Sequence, residues 1–301
     1  MKDKTFKPKT FSEYQELLLA MMYFIDDMCR QSGIKYTVID GTLLGAVRDK
    51  NIIPWDGDID IAMTQKELEK LKAAFEKYDG RYYFSYFPDH FYRKKGNYGL
   101  IHARVIDKKA SNPLLCIDVF TIEFLGDDYE TALKTVEEYI QIESKSIYSV
   151  SFHLPPIKKE KPLGENIRNF MIGLFYPVFW IASKIATPGY VKKFTKFAEK
   201  KLSFDESSKY YTIEPYLGRF GVEENDILAA GYIDLPFSTF KVMAAANYET
   251  YLIKTYGDYM QLPPPEKRVP YPSEKELLDC KVIYDDELND LLEKVKGVKN
   301  D

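Results

Sequence analysis

Histidine and cysteine are scarce in this 301-residue chain, with three of each. Cys29, Cys116 and Cys280 lie far apart and form no CxxC pair, which excludes a disulfide framework and a cysteine zinc site and points to a reducing compartment. His90, His102 and His153 fall in no metal-ligand spacing such as HExxH, so a metal here has to be held by oxygen ligands. Positive charge is not in excess either. The 42 Lys and Arg stand against 46 Asp and Glu, a net charge of -4, which excludes binding of bulk nucleic acid through an overall positive field and makes any phosphate binding local. The opening MKDKTFKPKTF lacks the apolar core of a secretory signal, so a cytoplasmic location is expected. The apolar run at 170–183 covers only about 14 residues, too short for a membrane crossing of ~20.

What is present is a chain with 45% hydrophobic residues, enough to bury a core. TFSEYQELLLAMMYFIDDMCRQSG opens with a capping-box pattern from Thr10 to Glu13, repeats apolar residues at helical spacing and ends at Gly33. KYTVI then reads as a strand, DGTLLGAVRD as a glycine turn entering a helix, and DIDIAM as a strand that Thr64 and Glu67 close with a second capping box for a helix over 65–78. Strands at 82–87, 99–107 and 114–124 and a helix over 129–142 complete a mixed order, followed by a more helical remainder broken by HLPPI and QLPPPEKRVPYP. Between 157 and 201, ten Lys or Arg meet three Glu around the apolar run. That composition suits either the surface of an anionic membrane or a core helix pair with solvated lysines.

The chemistry concentrates in IIPWDGDIDIAM. Successive strand side chains alternate faces, so Ile59 and Ile61 enter the core while Asp58 and Asp60 project together from the other face. Two like charges about 7 Å apart at the Cα atoms on a half-buried strand are unfavourable unless a cation neutralises them, and hard divalent cations prefer such oxygens. An isolated DxD is common on solvated strand faces; the neighbourhood distinguishes this one. Upstream, Gly41 permits close backbone approach to a phosphate, Thr42 offers a hydroxyl at a helix start, and Arg48 suits a bidentate phosphate contact. Downstream, Asp118 in LLCIDVFTIE is either a third carboxylate or an edge-strand charge, and Arg104 in IHARVID is a phosphate contact or an exposed strand arginine. Trp55 and Asp56 fit scaffolding roles, in packing and in the turn.

A glycine turn with a small hydroxyl residue, a DhDh strand and a later strand carrying one Asp resemble the nucleotidyltransferase fold of the polymerase β type. More specifically, YTVIDGTLLGAVRDKNIIPWDGDIDIAM resembles the signature of the LicD/fukutin family. CIDVFTIE resembles that family's IDIFPL segment, and YETYLIKTYGDYMQLPPPEKR its C-terminal YGDYM and LPP segment. Gly57 departs from the WDDD form of many bacterial members.

The resemblance implies an α+β protein with a nucleotidyltransferase-like catalytic core over 1–152, a basic, apolar helical insertion over 153–205 and a C-terminal helical part over 206–301 that completes the cleft. It implies transfer of a phosphoryl-linked group, phosphocholine or a polyol phosphate, from a CDP-linked donor to a hydroxyl of a cell-surface glycan or its lipid-linked precursor. Asp58, Asp60 and Asp118 are then the metal and catalytic triad for Mg²⁺ or Mn²⁺, and Gly41, Thr42, Arg48 and Arg104 the substrate contacts. The enzyme would work in the cytoplasm, with a peripheral contact at the inner face of the membrane and no nucleic acid partner. Its rivals are a nucleotidyltransferase using NTP to modify RNA, protein or a small molecule, a DxD glycosyltransferase, and a non-catalytic binding module. The glycosyltransferase expects a long βαβ domain ahead of the DxD, where this chain has only about 57 residues.

Overall fold

The computed structural model describes residues 4–86, 102–150, 206–213, 221–226, 230–270 and 272–297, with single positions between 178 and 228. The chain divides into two units, the first from Met1–Tyr86, His102–Glu123 and Glu223–Asp301, the second from Phe87–Ile101 and Phe124–Val222.

In the first unit a short strand β1 (Lys4–Phe6) leads into helix α1 (Phe11–Gln31). The Thr10 hydroxyl accepts from the Glu13 backbone N–H at 3.2 Å, satisfying one orphan donor of the helix, while the Glu13 carboxylate reaches back past the cap to the Lys9 N–H, so the first half of the expected capping box forms and the second is shifted by one residue. The expected apolar stripe is buried, with Tyr14, Leu18, Met22 and Ile25 fully enclosed. Strands β2 (Thr37–Val38), β3 (Asp60–Thr64), β4 (Tyr82–Ser85), β5 (Ala103–Asp107) and β6 (Cys116–Gly126) form a mixed sheet in the order β2-β3-β6-β5-β4. β3 and β6 run parallel and the other three pairs antiparallel. Helices α2 (Asp40–Leu44) and α3 (Gln65–Glu76) flank β3 in sequence, α3 capped by the Thr64 hydroxyl. The mixture of helices with a mixed sheet agrees with the expected α+β class. The strand expected from Asp58 begins at Asp60, and the part of the 99–107 strand before His102 lies outside the described residues.

The second unit contains helix α4 (Tyr129–Val150), longer than expected, and strand β7 (Tyr210–Ile213). Its small core joins Leu125, Ala132, Val136 and Tyr210, with Tyr129 edge-on to Tyr210 at 5.5 Å. Most of the basic segment 157–201 lies outside the described residues; the described Val178, Ile181, Ile185, Lys192, Lys193 and Lys196 are helical and exposed. Among the described residues no helix is long and apolar enough to cross a membrane.

The chain returns to the first unit through a two-residue strand β8 (Glu223–Glu224) and a hairpin, β9 (Tyr232–Phe237) and β10 (Phe240–Ala245). Sequence reading gave this part of the chain to helix. YIDLPF and FKVMAA pair instead because Ser238 takes φ +55 in a two-residue loop, and β10 then docks on β2, the Ala245 N–H donating to the Thr37 hydroxyl at 2.9 Å. Helix α5 (Tyr248–Tyr256), helix α6 (Glu274–Leu278), strand β11 (Val282–Tyr284), which pairs antiparallel with β1, and helix α7 (Asp286–Lys296) close the unit.

Candidate active site

The sheet register brings the acidic strand positions together. Asp60 on β3 is the lateral partner of Asp118 on β6, and Asp118 the partner of Arg104 on β5. Laterally paired residues share a sheet face, so Asp60, Asp118 and Arg104 form one polar row. The neighbours that alternate with them, Ile59, Ile61, Ile117 and Val119, are fully buried on the other face.

Within the row Asp118 is gripped from two sides. Its carboxylate accepts from Arg104 Nε at 2.5 Å and Nη2 at 3.3 Å, and His102 Nε2 stands 3.3 Å away with the imidazole stacked on Phe120. Burial alone would raise the Asp118 pKa, but the Arg104 guanidinium and His102 outweigh it and hold the carboxyl well below the ordinary range. Asp58, two residues before β3, has the opposite surroundings. Burial raises its pKa first, and the carboxylates of Asp60, Asp56 and Asp118 raise it further, with a carboxyl-to-carboxyl hydrogen bond to Asp56. Two carboxyl groups hydrogen-bonded to each other share a proton, and a cation can take the place of that proton.

The turn before this strand is built tightly. Asp40, at the start of α2, sits at φ +48, a conformation that aspartate tolerates better than most residues, and its Oδ1 accepts from the Tyr251 hydroxyl of α5 at 2.8 Å. Gly41 lies against Asp56: a Cβ built on it would fall 2.3 Å from Asp56 Oδ2. The glycine thus leaves room for a carboxylate of the chain itself. The Thr42 hydroxyl is buried and accepts from the Asp60 backbone N–H at 2.9 Å, which ties α2 to the start of β3. After α2 the backbone widens into a π-turn over Gly45–Asp49, where Arg48 makes two hydrogen bonds to Asp49 Oδ2 at 2.9 and 3.0 Å.

Arg48 also lies 5.8 Å from the Trp55 ring centroid, as does Arg268. Together with Tyr256, Asp258 and Tyr259 these residues line a cavity of about 730 Å³ that reaches Gly41. The structure therefore places Gly41, Arg48 and Trp55 at a cavity, Asp60, Asp118 and Arg104 in one row, and Asp58 at the edge of that row. Asp56, His102, Tyr251 and Arg268 were not singled out from the sequence as site residues. His102 had a signal, since in IHARVID it shares a strand face with Arg104.

A divalent cation fits one part of the site. Asp58 is crowded by the like charge of Asp60, Asp56 and Asp118, whereas Asp118 already has Arg104. Among the described residues no three His, Cys, Asp or Glu side chains stand close enough to share one ion.

Residues 33–157 match the family described as LicD/FKTN/FKRP, nucleotidyltransferase domain. The chain is similar to the lipopolysaccharide cholinephosphotransferase LicD of Haemophilus influenzae, 22% identical over 271 residues that make up 88% of this chain and 97% of the relative. Shorter matches reach two uncharacterized rickettsial proteins. One is from Rickettsia prowazekii, 36% identical over 72 residues (23% of this chain, 25% of the relative), and the other from Rickettsia typhi, 37% over 68 residues (22% of each).

Proposed function

We propose that this chain, whose residues 33–157 match the LicD/FKTN/FKRP nucleotidyltransferase-domain family, transfers a phosphoryl-linked group from a CDP-activated donor to a hydroxyl of a cell-surface glycan or its lipid-linked precursor, on a nucleotidyltransferase-type core. The similarity to the Haemophilus influenzae cholinephosphotransferase over most of both chains supports the transferase class. The observation that carries the reading to these residues is the row Asp60–Asp118–Arg104 with Asp58 at its edge, which puts a cation-seeking carboxylate pair beside a carboxylate that keeps its charge.

Asp58 and Asp60 would hold Mg²⁺ or Mn²⁺. When bound, that ion offsets the charge of the donor diphosphate and of the departing CMP. Arg48, at the cavity that reaches Gly41, binds a donor phosphate. Arg104 and His102 fix the Asp118 carboxylate, which accepts a hydrogen bond from the acceptor hydroxyl and aims its oxygen at phosphorus. A carboxylate held so far below the ordinary pKa range is a weak proton store, so its part is aiming, and the hydroxyl proton leaves to solvent as the new O–P bond forms. A loose phosphoryl-transfer transition state asks little of a base until late. The bond from phosphorus to the CMP oxygen breaks and CMP leaves with that electron pair.

The test is incubation with CDP-choline, CDP-ribitol and, separately, labelled NTPs in Mg²⁺. Release of CMP from a CDP donor supports the transfer; release of pyrophosphate from an NTP moves the protein to the nucleotidyltransferase reading. A peripheral contact with the inner face of the membrane rests on exposed Val178, Ile181 and Ile185 near Lys192, Lys193 and Lys196. Failure to pellet with anionic liposomes would remove it.

A further inference from the structure

Among the described residues Asp40, Lys50 and Ser238 are the non-glycine positions with φ above zero, and Asp40, at φ +48 and 1% exposed, is the buried one. A residue in that conformation stays there only where its surroundings hold it. The holder is Tyr251 of α5: its hydroxyl donates to Asp40 Oδ1 at 2.8 Å, and the same oxygen meets the Asp40 backbone N–H. Burial, and after it the Asp40 carboxylate, raise the Tyr251 pKa well above its usual value, so the hydroxyl keeps its proton. Leu252, next in the chain and fully enclosed, seats α5 in the core.

The residues that bracket Asp40 hold the backbone of the acidic corner. On one side the Ile39 N–H donates to the Asp60 carbonyl at 3.2 Å, and on the other the Thr42 hydroxyl accepts from the Asp60 N–H at 2.9 Å. Asp60 is therefore gripped from both ends of the Asp40 turn. Gly41, between them, packs on Asp56, the carboxyl partner of Asp58. Any change in the turn displaces Asp56 and Asp60 together. From this we infer that Tyr251 is a positioning residue for the cation corner: by clamping the turn at Asp40, its hydroxyl fixes the Asp58 and Asp60 carboxylates in the arrangement that takes a divalent cation. Tyr251 itself touches neither acid. The inference rests on the cation reading of Asp58 and Asp60 given above and deepens it, since it makes the affinity of the corner depend on a hydroxyl of the C-terminal segment.

The experiment is calorimetric titration of the full chain with Mn²⁺, with Asp58→Asn as the variant that lacks the corner. Tyr251→Phe keeps the ring and removes only the hydroxyl; it should bind Mn²⁺ roughly tenfold more weakly than wild type, the lower end of what loss of a group supporting a metal ligand costs. Asp40→Asn keeps an oxygen for the Tyr251 hydroxyl and tolerates the left-handed turn, so its affinity should stay within about twofold of wild type. Asp40→Gly keeps the turn and removes the acceptor, and in that background Tyr251→Phe should cost nothing further. The control is Tyr78→Phe, which deletes another part-buried tyrosine–carboxylate bond, to Glu287, in the segment before β4. It should lower the melting temperature as Tyr251→Phe does and leave Mn²⁺ affinity unchanged. Equal Mn²⁺ affinity in Tyr251→Phe and wild type, an equal loss in Tyr78→Phe, or a full further loss in the Asp40→Gly background overturns the inference and leaves the cation reading standing. Mn²⁺ binding as tight in Asp58→Asn as in wild type, or no binding at all, overturns both. CMP release is scored separately, so a protein with the expected affinities that releases no CMP from any CDP donor loses the transfer reading and keeps the role of Tyr251.

Discussion

Buried carboxylates gather in two places in the first unit, and they are treated differently. Around Arg81 each acid has a base: the guanidinium, fully enclosed, bonds Asp107 at 2.7 Å and Asp285 at 2.9 Å, Lys109 adds a second bond to Asp285, and a carbonyl of β11 accepts as well. Just before β3 Asp58 leans on the carboxyl of Asp56 and meets the like charge of Asp60, so acid meets acid. The first arrangement is complete without anything added and fastens β5 to the C-terminal segment. In the second, burial and like charge raise the Asp58 pKa, and a proton or a cation relieves that repulsion. Asp118 lies between the two cases, an acid of the polar row with its charge kept by Arg104. Residue type does not separate structural from functional aspartates here; the sign of the nearest neighbour does.

The strongest way to break this contrast is to delete one acid from each place. Asp58→Ala or Asp60→Ala should lower transfer by about a thousandfold or more while the protein stays folded, because these side chains serve the reacting phosphates. Steady-state CMP release and a circular dichroism melt measure the two halves of that statement, and full activity in either variant ends the proposal. Arg81→Met should do the reverse. Leaving Asp107 buried without its partner should cost about 3–5 kcal/mol in urea unfolding, with kcat of the remaining folded enzyme little changed. A smaller effect tests the packing between turn and carboxylate. Gly41→Ala would push Asp56 Oδ2 away from a Cβ 2.3 Å distant, and since the obstacle is the tip of a side chain, stability should barely change. Activity should fall up to about a hundredfold through misplacement of the Asp56–Asp58 pair; an unaltered rate would mean that Asp56 is a turn residue only.

Local rules carried the sequence reading where the interaction was local. The Thr10 and Thr64 caps close within three residues, and the alternation in DIDIAM separates Ile59 and Ile61 from the acids by period two. What escaped depends on register between distant segments. Nothing in IHARVID states that Arg104 will stand opposite an aspartate 14 residues later, so a side chain read as a phosphate contact is found bonded to Asp118. Gly41 was legible as a position of close approach, but its partner, Asp56, reaches it across a loop. The β9–β10 hairpin was hidden because Pro236 and the alanines of FKVMAA dilute the strand signal, while the docking of β10 on β2 is a tertiary contact.

The contrast also has a pH signature, the smallest effect and the one that separates charge from packing. Asp58 titrates near 3.9 in the unfolded chain and higher in the fold, so above pH about 4 the folded state holds more protons than the unfolded one, and stability falls as pH rises through the folded pKa. Asp118 acts oppositely. Its folded pKa is depressed, so the stability it contributes is present above about pH 4 and is lost as pH falls toward the folded value. In EDTA the wild-type protein should therefore become less stable between pH 4.5 and the folded pKa of Asp58. Asp58→Asn should flatten that decline and make the metal-free protein the more stable of the two at neutral pH, and Mg²⁺ should flatten it for the wild type. Urea midpoints across this range, with and without Mg²⁺, give the answer. An Asp58→Asn curve parallel to wild type in EDTA would show that the acids at this corner do not repel, and with that the argument for a cation between Asp58 and Asp60 would fall.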